Sequence, residues 1–328
     1  MKGRRQLVYR CCQGLLWLLS FSGQLALAEP ASDIHLQAHR GASAAKMENT
    51  IPAILEAIRL GANSIEIDVL VTRDQKLVVF HNFKIEPETV KHPDGVVTAS
   101  PIYEHTLAEL QVLEVTLPER LKQKDTLRSY EKRMPALREI FEAIRQSDLP
   151  GAKTVWLDIE VKSDPENSAY GPEPEKFAEL LLNEIYDYGW QKQVAVRSFD
   201  HRVLREVKKR NPAIPIVALT ELGYLGFTGD YESLFLELGP QAVAPNIGDL
   251  NADAVKTLHR LKLPILPWSH HSQDKPEFWR SALNFGVRGI TGDDIPRLQQ
   301  FLVKEGLEQS TQNSPFGPCP SNLSRLAN

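Results

Sequence analysis

From Ile34 onward, short β-rich runs alternate with stretches of helical periodicity, and this alternation confines the chain to a parallel-sheet α/β architecture. Strands are predicted at 34–38, 64–71, 77–80, 155–161, 194–199, 215–219, 242–244, 264–267 and 289–291. Helices are predicted between most of them, at 50–60, 136–146, 175–188, 201–209, 252–261 and 276–285. Nine candidate strands with no linker favour one (β/α)8 TIM barrel over residues 34–303 rather than two domains. Residues 83–135 break the pattern. They are mostly polar and irregular apart from a short helix at 107–113, and they read as an insertion between the third and fourth strands, over one end of the barrel. The tail at 309–328, with its Ser, Asn and Pro, is expected to be flexible.

Composition narrows the function classes. The 328 residues are 42% hydrophobic and 24% charged, which excludes collagen, general disorder and a disulfide scaffold. A net charge of −4 with no basic stripe among aromatics carries no nucleic-acid footprint. Neither GxGxxG nor GxxxxGK[ST] follows a strand, so nucleotide binding lacks its usual loops.

Residues 1–28 read as a secretory signal peptide. Lys2, Arg4, Arg5 and Arg10 stand without an acid, the apolar run Leu15 to Leu19 follows, and Ala26-Leu27-Ala28 forms a small-x-small cleavage site. The run is far short of the roughly 20 residues that span a bilayer, so cleavage after Ala28 leaves no stable membrane insertion. The expected mature protein is exported, periplasmic or secreted, with 34 basic against 42 acidic side chains, a charge of −8. Cys11 and Cys12 leave with the peptide. Cys319 alone cannot form an internal disulfide, so the fold rests on its core or on bound metal.

The chemistry starts at Glu66 and Asp68 in Ser64-Ile-Glu-Ile-Asp-Val69. Side chains alternate along a strand, so both carboxylates share one face and Ile65, Ile67 and Val69 take the other. Two adjacent acids repel unless a cation lies between them, and hard oxygen donors suit Mg²⁺ or Ca²⁺. An exposed edge strand with solvated acids is the competing reading. The short Thr72-Arg-Asp-Gln-Lys76 link predicts a hairpin turning symmetrically at Asp74-Gln75, which pairs Arg73 with Lys76 and sets Asp68 opposite His81. His81 then shares the face of the two acids and is a candidate acid or base. His39 ends the first strand, beside Arg40, a candidate for an anionic group, and Gly41, which allows close backbone approach. Glu48-Asn49-Thr50 opens a helix as a capping segment, and Glu160 and Lys162 share a face at the end of another strand. Catalytic groups of barrel enzymes gather at such strand ends.

Taken in order, His39-Arg-Gly41, Glu48-Asn-Thr50, Glu66-Ile-Asp68, Val78-Val-Phe-His81 and Ile159-Glu-Val-Lys162 resemble the glycerophosphodiester phosphodiesterase family. Weaker matches run through Thr106-Leu-Ala-Glu-Leu110, Met134-Pro-Ala-Leu-Arg-Glu139, Ser198-Phe-Asp200, Trp268 and Gly286 to Asp293, so the resemblance covers about 34–300. It implies a (β/α)8 phosphodiesterase barrel with one divalent cation, Mg²⁺ or Ca²⁺, on Glu66, Asp68 and Glu160. It also implies His39 and His81 as acid and base, Arg40 and Lys162 facing the phosphate, Trp268 touching substrate, and a small-molecule glycerophosphodiester cleaved to glycerol 3-phosphate and an alcohol. Three positions depart from the family pattern. Met47 replaces Pro, expected to change loop rigidity; Asn82 follows His81 where Asp is usual; and Ser269-His270-His271 follow Trp268. The alternatives are a related barrel phospholipase, which needs an exposed apolar rim from residues such as Ile102, Tyr103, Leu113, Leu117 and Leu121, and a phosphodiester-binding barrel without turnover.

Overall fold

The computed structural model describes residues 33–116, 131–312 and 314–316. The expected signal peptide, residues 117–130 of the expected insertion and the tail from 317 lie outside the described residues. The chain enters through β1 (Asp33–Ala38), β2 (Ser64–Val71) and β3 (Leu77–Val79). Four short strands follow, β4 (Lys84–Ile85), β5 (Val90–Lys91), β6 (Ser100–Pro101) and β7 (Glu114–Val115). Then come β8 (Trp156–Val161), β9 (Val194–Ser198), β10 (Ile216–Thr220), β11 (Ala242–Pro245), β12 (Gly289–Gly292) and β13 (Glu308–Gln309). The parallel sheet runs in the order β11-β10-β9-β8-β2-β1-β12.

The segment 264–268 closes the ring. It bridges in parallel to β11 at Val243–Ile265 and Asn246–Trp268. On its other side Arg288 N–H donates to Ile265 O at 2.9 Å, and His35 N–H donates to Arg288 O at 3.1 Å. The result is a TIM barrel of eight parallel segments. Strand alternation sets its two layers. Leu36, Ile65, Ile67, Leu157, Ile159, Val196, Ile216, Val243, Ile265 and Ile290 point outward, in one core cluster with helix residues such as Ile54, Phe141, Phe177, Leu204 and Leu298. Each fully buried aliphatic side chain there contributes about 1.5–3 kcal/mol. The interior is divided. Ala195, Val217, Leu219, Ala242, Ala244 and Leu266 fill one half with apolar atoms, whereas Gln37, Ser64, Glu66, Asp68, Asp158, Arg197 and Thr291 crowd buried polar groups into the other.

The third predicted strand is real but lies outside the ring, because β3 pairs antiparallel with β2. The irregular segment therefore opens between the second and third ring strands, β2 and β8. It has a small core of its own, with Ile85, Val90, Ile102, Leu107, Leu110, Leu113 and Val115 packed on Leu70, Val78 and Phe80. Ile102 and Leu113 are inside that cluster and offer no exposed apolar rim. Helices Tyr231–Leu238 and Ile295–Lys304 were not expected from the sequence. Pro296 reads as a breaker, yet it occupies the first turn, where no N–H is required of it. Ordered contacts also extend past the expected start of the tail. Gln309 pairs with Ile34 in β1, Asn63 Nδ2 donates to Ser310 O at 2.8 Å, and Phe316 meets the Trp156 ring edge-on at 5.9 Å.

Candidate active site

Glu66, Asp68 and Glu160 converge at the C-terminal mouth of the ring, with one ligand oxygen from each within 4.8 Å of the others. The register explains the convergence. β2 and β8 pair Asp68 with Glu160 and Glu66 with Asp158, so inward-facing acids stand beside one another across the strands. Burial, then the charges of Asp68 and Glu160, push Glu66 well above the usual carboxylate range. Burial acts the same way on Asp68, but the charges of His81, Arg40 and Lys162 and a hydrogen bond from Asn49 outweigh it and hold that group low. Glu66 Oε1 is buried with no hydrogen-bond partner among the described residues. An unsatisfied buried oxygen beside two further carboxylates, all hard donors, fits a divalent cation.

The loop after β1 is built against these acids. Arg40 N–H donates to Glu66 Oε2 at 3.0 Å, and its guanidinium donates to Glu48 Oε1 at 2.9 Å. Its Nε stands 3.2 Å from Asp68 Oδ2 as an ion pair without hydrogen-bond geometry. Asn49 Nδ2 donates to Asp68 Oδ2 at 2.8 Å, and Asp68 N–H donates back to Asn49 Oδ1 at 3.1 Å. Both Arg40 and Asn49 hold left-handed backbone, at φ 55° and 57°, and Asn49 N–H closes the loop on Arg40 O. At Gly41, a Cβ would meet the Ala53 backbone at 2.7 Å. Glu48-Asn49-Thr50 does open a helix, at Ile51 with Thr50 in the N-cap position, but no side chain of the segment caps it: the Thr50 hydroxyl donates to Met47 O at 2.6 Å, and Glu48 and Asn49 are committed to Arg40 and Asp68. Met47 packs into the cluster with Leu70 and Phe80, so its part is burial.

The hairpin register is one residue away from the expected one. Val69 pairs with Val79 and Val71 with Leu77, and Phe80 N–H donates to Asp68 O at 3.1 Å, so Phe80 and not His81 stands opposite Asp68. The turn has three residues instead of two. Gln75 N–H returns to Thr72 O, Gln75 is left-handed at φ 57°, and Thr72 N–H then meets Lys76 O, with Thr72 Oγ1 fastening Asp74 at 2.6 Å. His81 comes within reach of the Asp68 charge because the chain leaves the ladder after Phe80. Its Nδ1 lies 2.8 Å from Asn82 Oδ1, an atom that can only accept, so Nδ1 carries the proton, and no hydrogen bond to Nε2 is found among the described residues. Burial pushes His81 below its usual range against the pull of Asp68.

Lys162 donates to Glu160 Oε1 at 2.9 Å and stands 3.6 Å from Asp68 Oδ1. Burial opposes its charge, but Glu160 and Asp68 raise it above its usual value. His39 lies next to Arg40, and its Nδ1 meets Asp293 Oδ1 at 2.8 Å. Ser43 Oγ donates to the same oxygen at 2.9 Å, while Asp293 N–H and the Trp279 indole N–H both donate to Asp274. Trp268 stands apart, across the mouth, with its ring 5.4 Å from Phe199. The side chain of His271 lies outside the description. Asp293 and Asn49 are contributors whose partners the sequence did not reveal. Asp293 directly follows Gly292, the last residue of β12, so its position at a strand end is the signal that finds it. Beneath the acids, Arg197 Nη1 donates to Gln37 Oε1 at 2.8 Å and pairs with Asp158 at 3.4 Å, a buried floor that strand periodicity alone does not single out.

Known proteins resemble this chain in sequence and fold. A profile of the glycerophosphoryl diester phosphodiesterase family matches residues 39–297. A glycerophosphodiester phosphodiesterase of Caldanaerobacter subterraneus subsp. tengcongensis is 30% identical over 82% of this chain and 98% of its own. A solved Silicibacter pomeroyi DSS-3 structure, assigned as a glycerophosphoryl diester phosphodiesterase, superposes with a TM-score of 0.75 at 25% identity, covering 85% of this chain and 96% of that one. An Oleispira antarctica phosphodiesterase, solved with the product sn-glycerol-3-phosphate, has the same fold at a TM-score of 0.66 and 20% identity, covering 82% and 96%. With its barrel, its buried acids and a match that runs from His39 to Arg297, this chain belongs to the glycerophosphoryl diester phosphodiesterase family and is a phosphoric diester hydrolase.

Proposed function

We propose that the protein hydrolyses glycerophosphodiesters to glycerol 3-phosphate and an alcohol, with one Mg²⁺ or Ca²⁺ on Glu66, Asp68 and Glu160 and with His39 and His81 as acid and base. The observation that carries this reading is the buried acid triad, its ligand atoms within 4.8 Å of one another, between two cations and two histidines. A bound divalent cation would supply charge neutralisation at a phosphate oxygen. Arg40 and Lys162 add positive charge for the remaining phosphate oxygens. The two histidines divide the proton work. His81 takes the nucleophile's proton at Nε2, since Asn82 occupies Nδ1 and burial favours the neutral ring. The nucleophile's oxygen bonds to phosphorus as the bond from phosphorus to the alcohol oxygen breaks, and His39, acting with both ring nitrogens protonated, delivers its Nε2 proton to that oxygen while Nδ1–H stays on Asp293. The product-bound Oleispira antarctica relative supports glycerol 3-phosphate as the common product.

Incubating the protein with several glycerophosphodiesters and an intact membrane lipid, with and without chelator, tests the reading. Glycerol 3-phosphate released from the diesters alone, and lost on chelation, is the expected result. Cleavage of the lipid would favour a phospholipase, and tight binding without turnover a binding barrel. We further propose export, with cleavage after Ala28. N-terminal sequencing of protein recovered outside the cytoplasm checks it, and an intact Met1 in a membrane fraction would refute it. No helix among the described residues is long and apolar enough to cross a membrane.

A further inference from the structure

Asp293, the partner of His39, is itself held from behind by a second carboxylate that the proposed proton transfers leave unused. Asp274 lies between the segment that closes the ring and the helix Pro276–Asn284. Asp293 N–H donates to its Oδ2 at 3.0 Å, and the indole N–H of Trp279 donates to its Oδ1 at 2.9 Å. Both partners are pure donors, so position 274 needs two acceptors, and Asn would set an amide N–H₂ against one of them. The barrel makes room for this carboxylate. Gly292 ends β12 without a side chain, and a Cβ there would come within 2.9 Å of Asp274 Oδ1. Trp279 is fully buried in the outer core and meets the Phe301 ring edge-on at 5.3 Å, so the anchor of Asp274 is a packed one.

On its other side Asp293 faces the loop after β1. His39 N–H donates to Gly292 O at 3.0 Å and Ala44 N–H to Asp293 O at 3.1 Å, while His39 Nδ1 and Ser43 Oγ reach Asp293 Oδ1 at 2.8 and 2.9 Å. Asp293 is thus clamped, with its carbonyl and carboxylate on that loop and its N–H on Asp274. Charge links the same three residues. Burial pushes the Asp274 carboxyl above the usual carboxylate range, against the bond from Asp293 N–H; the Asp293 charge adds to the rise, and the charge of His39 opposes it. One buried carboxylate beside another is costly unless a cation faces both, and a His39 ring carrying two protons is such a cation.

We infer that Asp274 is a positioning residue for His39: it fixes the peptide of Asp293, and through it the carboxylate that holds Nδ1–H, so that the imidazole keeps one place at the mouth. The inference rests on the reading of His39 as the acid and adds the residue that aims it. No hydrogen bond or ion pair joins Asp274 to Glu66, Asp68 or Glu160 among the described residues, so metal binding is independent of it. A purely structural Asp274 would tie Trp279 to the end of β12 and leave His39 where it is. An acid misplaced by about 1 Å, in contrast, loses up to about 100-fold in rate.

The test compares wild type with Asp274→Asn and Asp274→Ala proteins in three measurements: kcat and KM on one glycerophosphodiester, bound Mg²⁺, and the downfield proton NMR signal of His39 Nδ1–H. That signal is identified by its loss in His39→Ala and needs no turnover. Each Asp274 substitution is expected to lower kcat by about 10- to 100-fold, with KM and bound metal within about twofold of wild type, and to move or broaden the His39 signal. A wild-type kcat together with an unmoved signal, in folded variants, overturns the inference. Should both variants fail to fold, Trp279→Phe removes one anchor of Asp274 and keeps the carboxylate. It is expected to move the same signal and to lower kcat by about 2- to 10-fold, and no change in either overturns the inference equally. If wild type cleaves no diester, the phosphodiesterase reading fails, and the NMR signal still decides for or against Asp274.

Discussion

The Nδ1 atom of His39 lies 2.8 Å from Oδ1 of Asp293, which joins the end of the first ring strand to the residue that follows the last one. A carboxylate can only accept, so Nδ1 carries a proton in this contact, and in the proposed reaction the transferred proton is the one on Nε2. Asn at 293 can present its amide N–H₂ instead and favour a ring without a proton on Nδ1. Asp293→Asn is expected to lower kcat about 10²- to 10⁴-fold with bound metal unchanged. Steady-state kinetics beside metal analysis checks this, and a wild-type rate would leave the pair a purely structural contact.

Removing any one acid of the triad should disturb metal and turnover together. Glu66→Gln, Asp68→Asn and Glu160→Gln are each expected to weaken Mg²⁺ or Ca²⁺ binding by about tenfold or more. Because burial raises Glu66, a proton competes with the ion there, so wild-type affinity should fall as pH is lowered. Equilibrium dialysis with elemental analysis across pH measures both effects. Wild-type metal content in all three variants would refute the ligand assignment.

Asn82 is an acceptor without charge at 2.8 Å from His81. Putting Asp there adds an anion that favours the imidazolium, against the burial that now lowers His81. In Asn82→Asp the limb of the pH–rate profile governed by His81 should therefore move to higher pH. Profiles of both proteins on one diester decide it; a shift in the opposite direction would remove His81 from that limb.

His35 is fully buried in the barrel, with Nε2 2.7 Å from Ser64 Oγ, and burial pushes it down to about 3 from the ordinary 6.5. The unfolded chain therefore binds a proton that the folded one refuses. Stability from this group is present above the unfolded value and is lost as pH falls toward the folded one, at about 1.4 kcal/mol per pH unit. Urea unfolding between about pH 6 and pH 4.5 should show a shallower slope in His35→Gln by about that amount. Equal slopes in the two proteins would mean that another group carries the acid sensitivity.

Local pattern was enough to name the acids, because strand alternation is a property of the chain itself. Glu66 and Asp68 had to share a face, and Ile65, Ile67 and Val69 had to face the helices, whatever the rest of the molecule did. The barrel was legible for the same reason, with nine runs of strand periodicity spaced by helices. Register was not. Whether Asp68 meets Phe80 or His81 depends on one left-handed residue, Gln75, and on a Thr72 hydroxyl that turns a two-residue loop into three. Neither the pairing of His39 with Asp293 nor the union of Asn49 with Asp68 shows in the local pattern, since residues 254 apart meet only when the ring closes and residues 19 apart only when the loop after β1 folds back on β2. Periodicity thus determined which side chains face the inside of the barrel; closure of the sheet decided which of them touch, because contacts between distant strands are set by packing and not by the spacing of residues along any one of them.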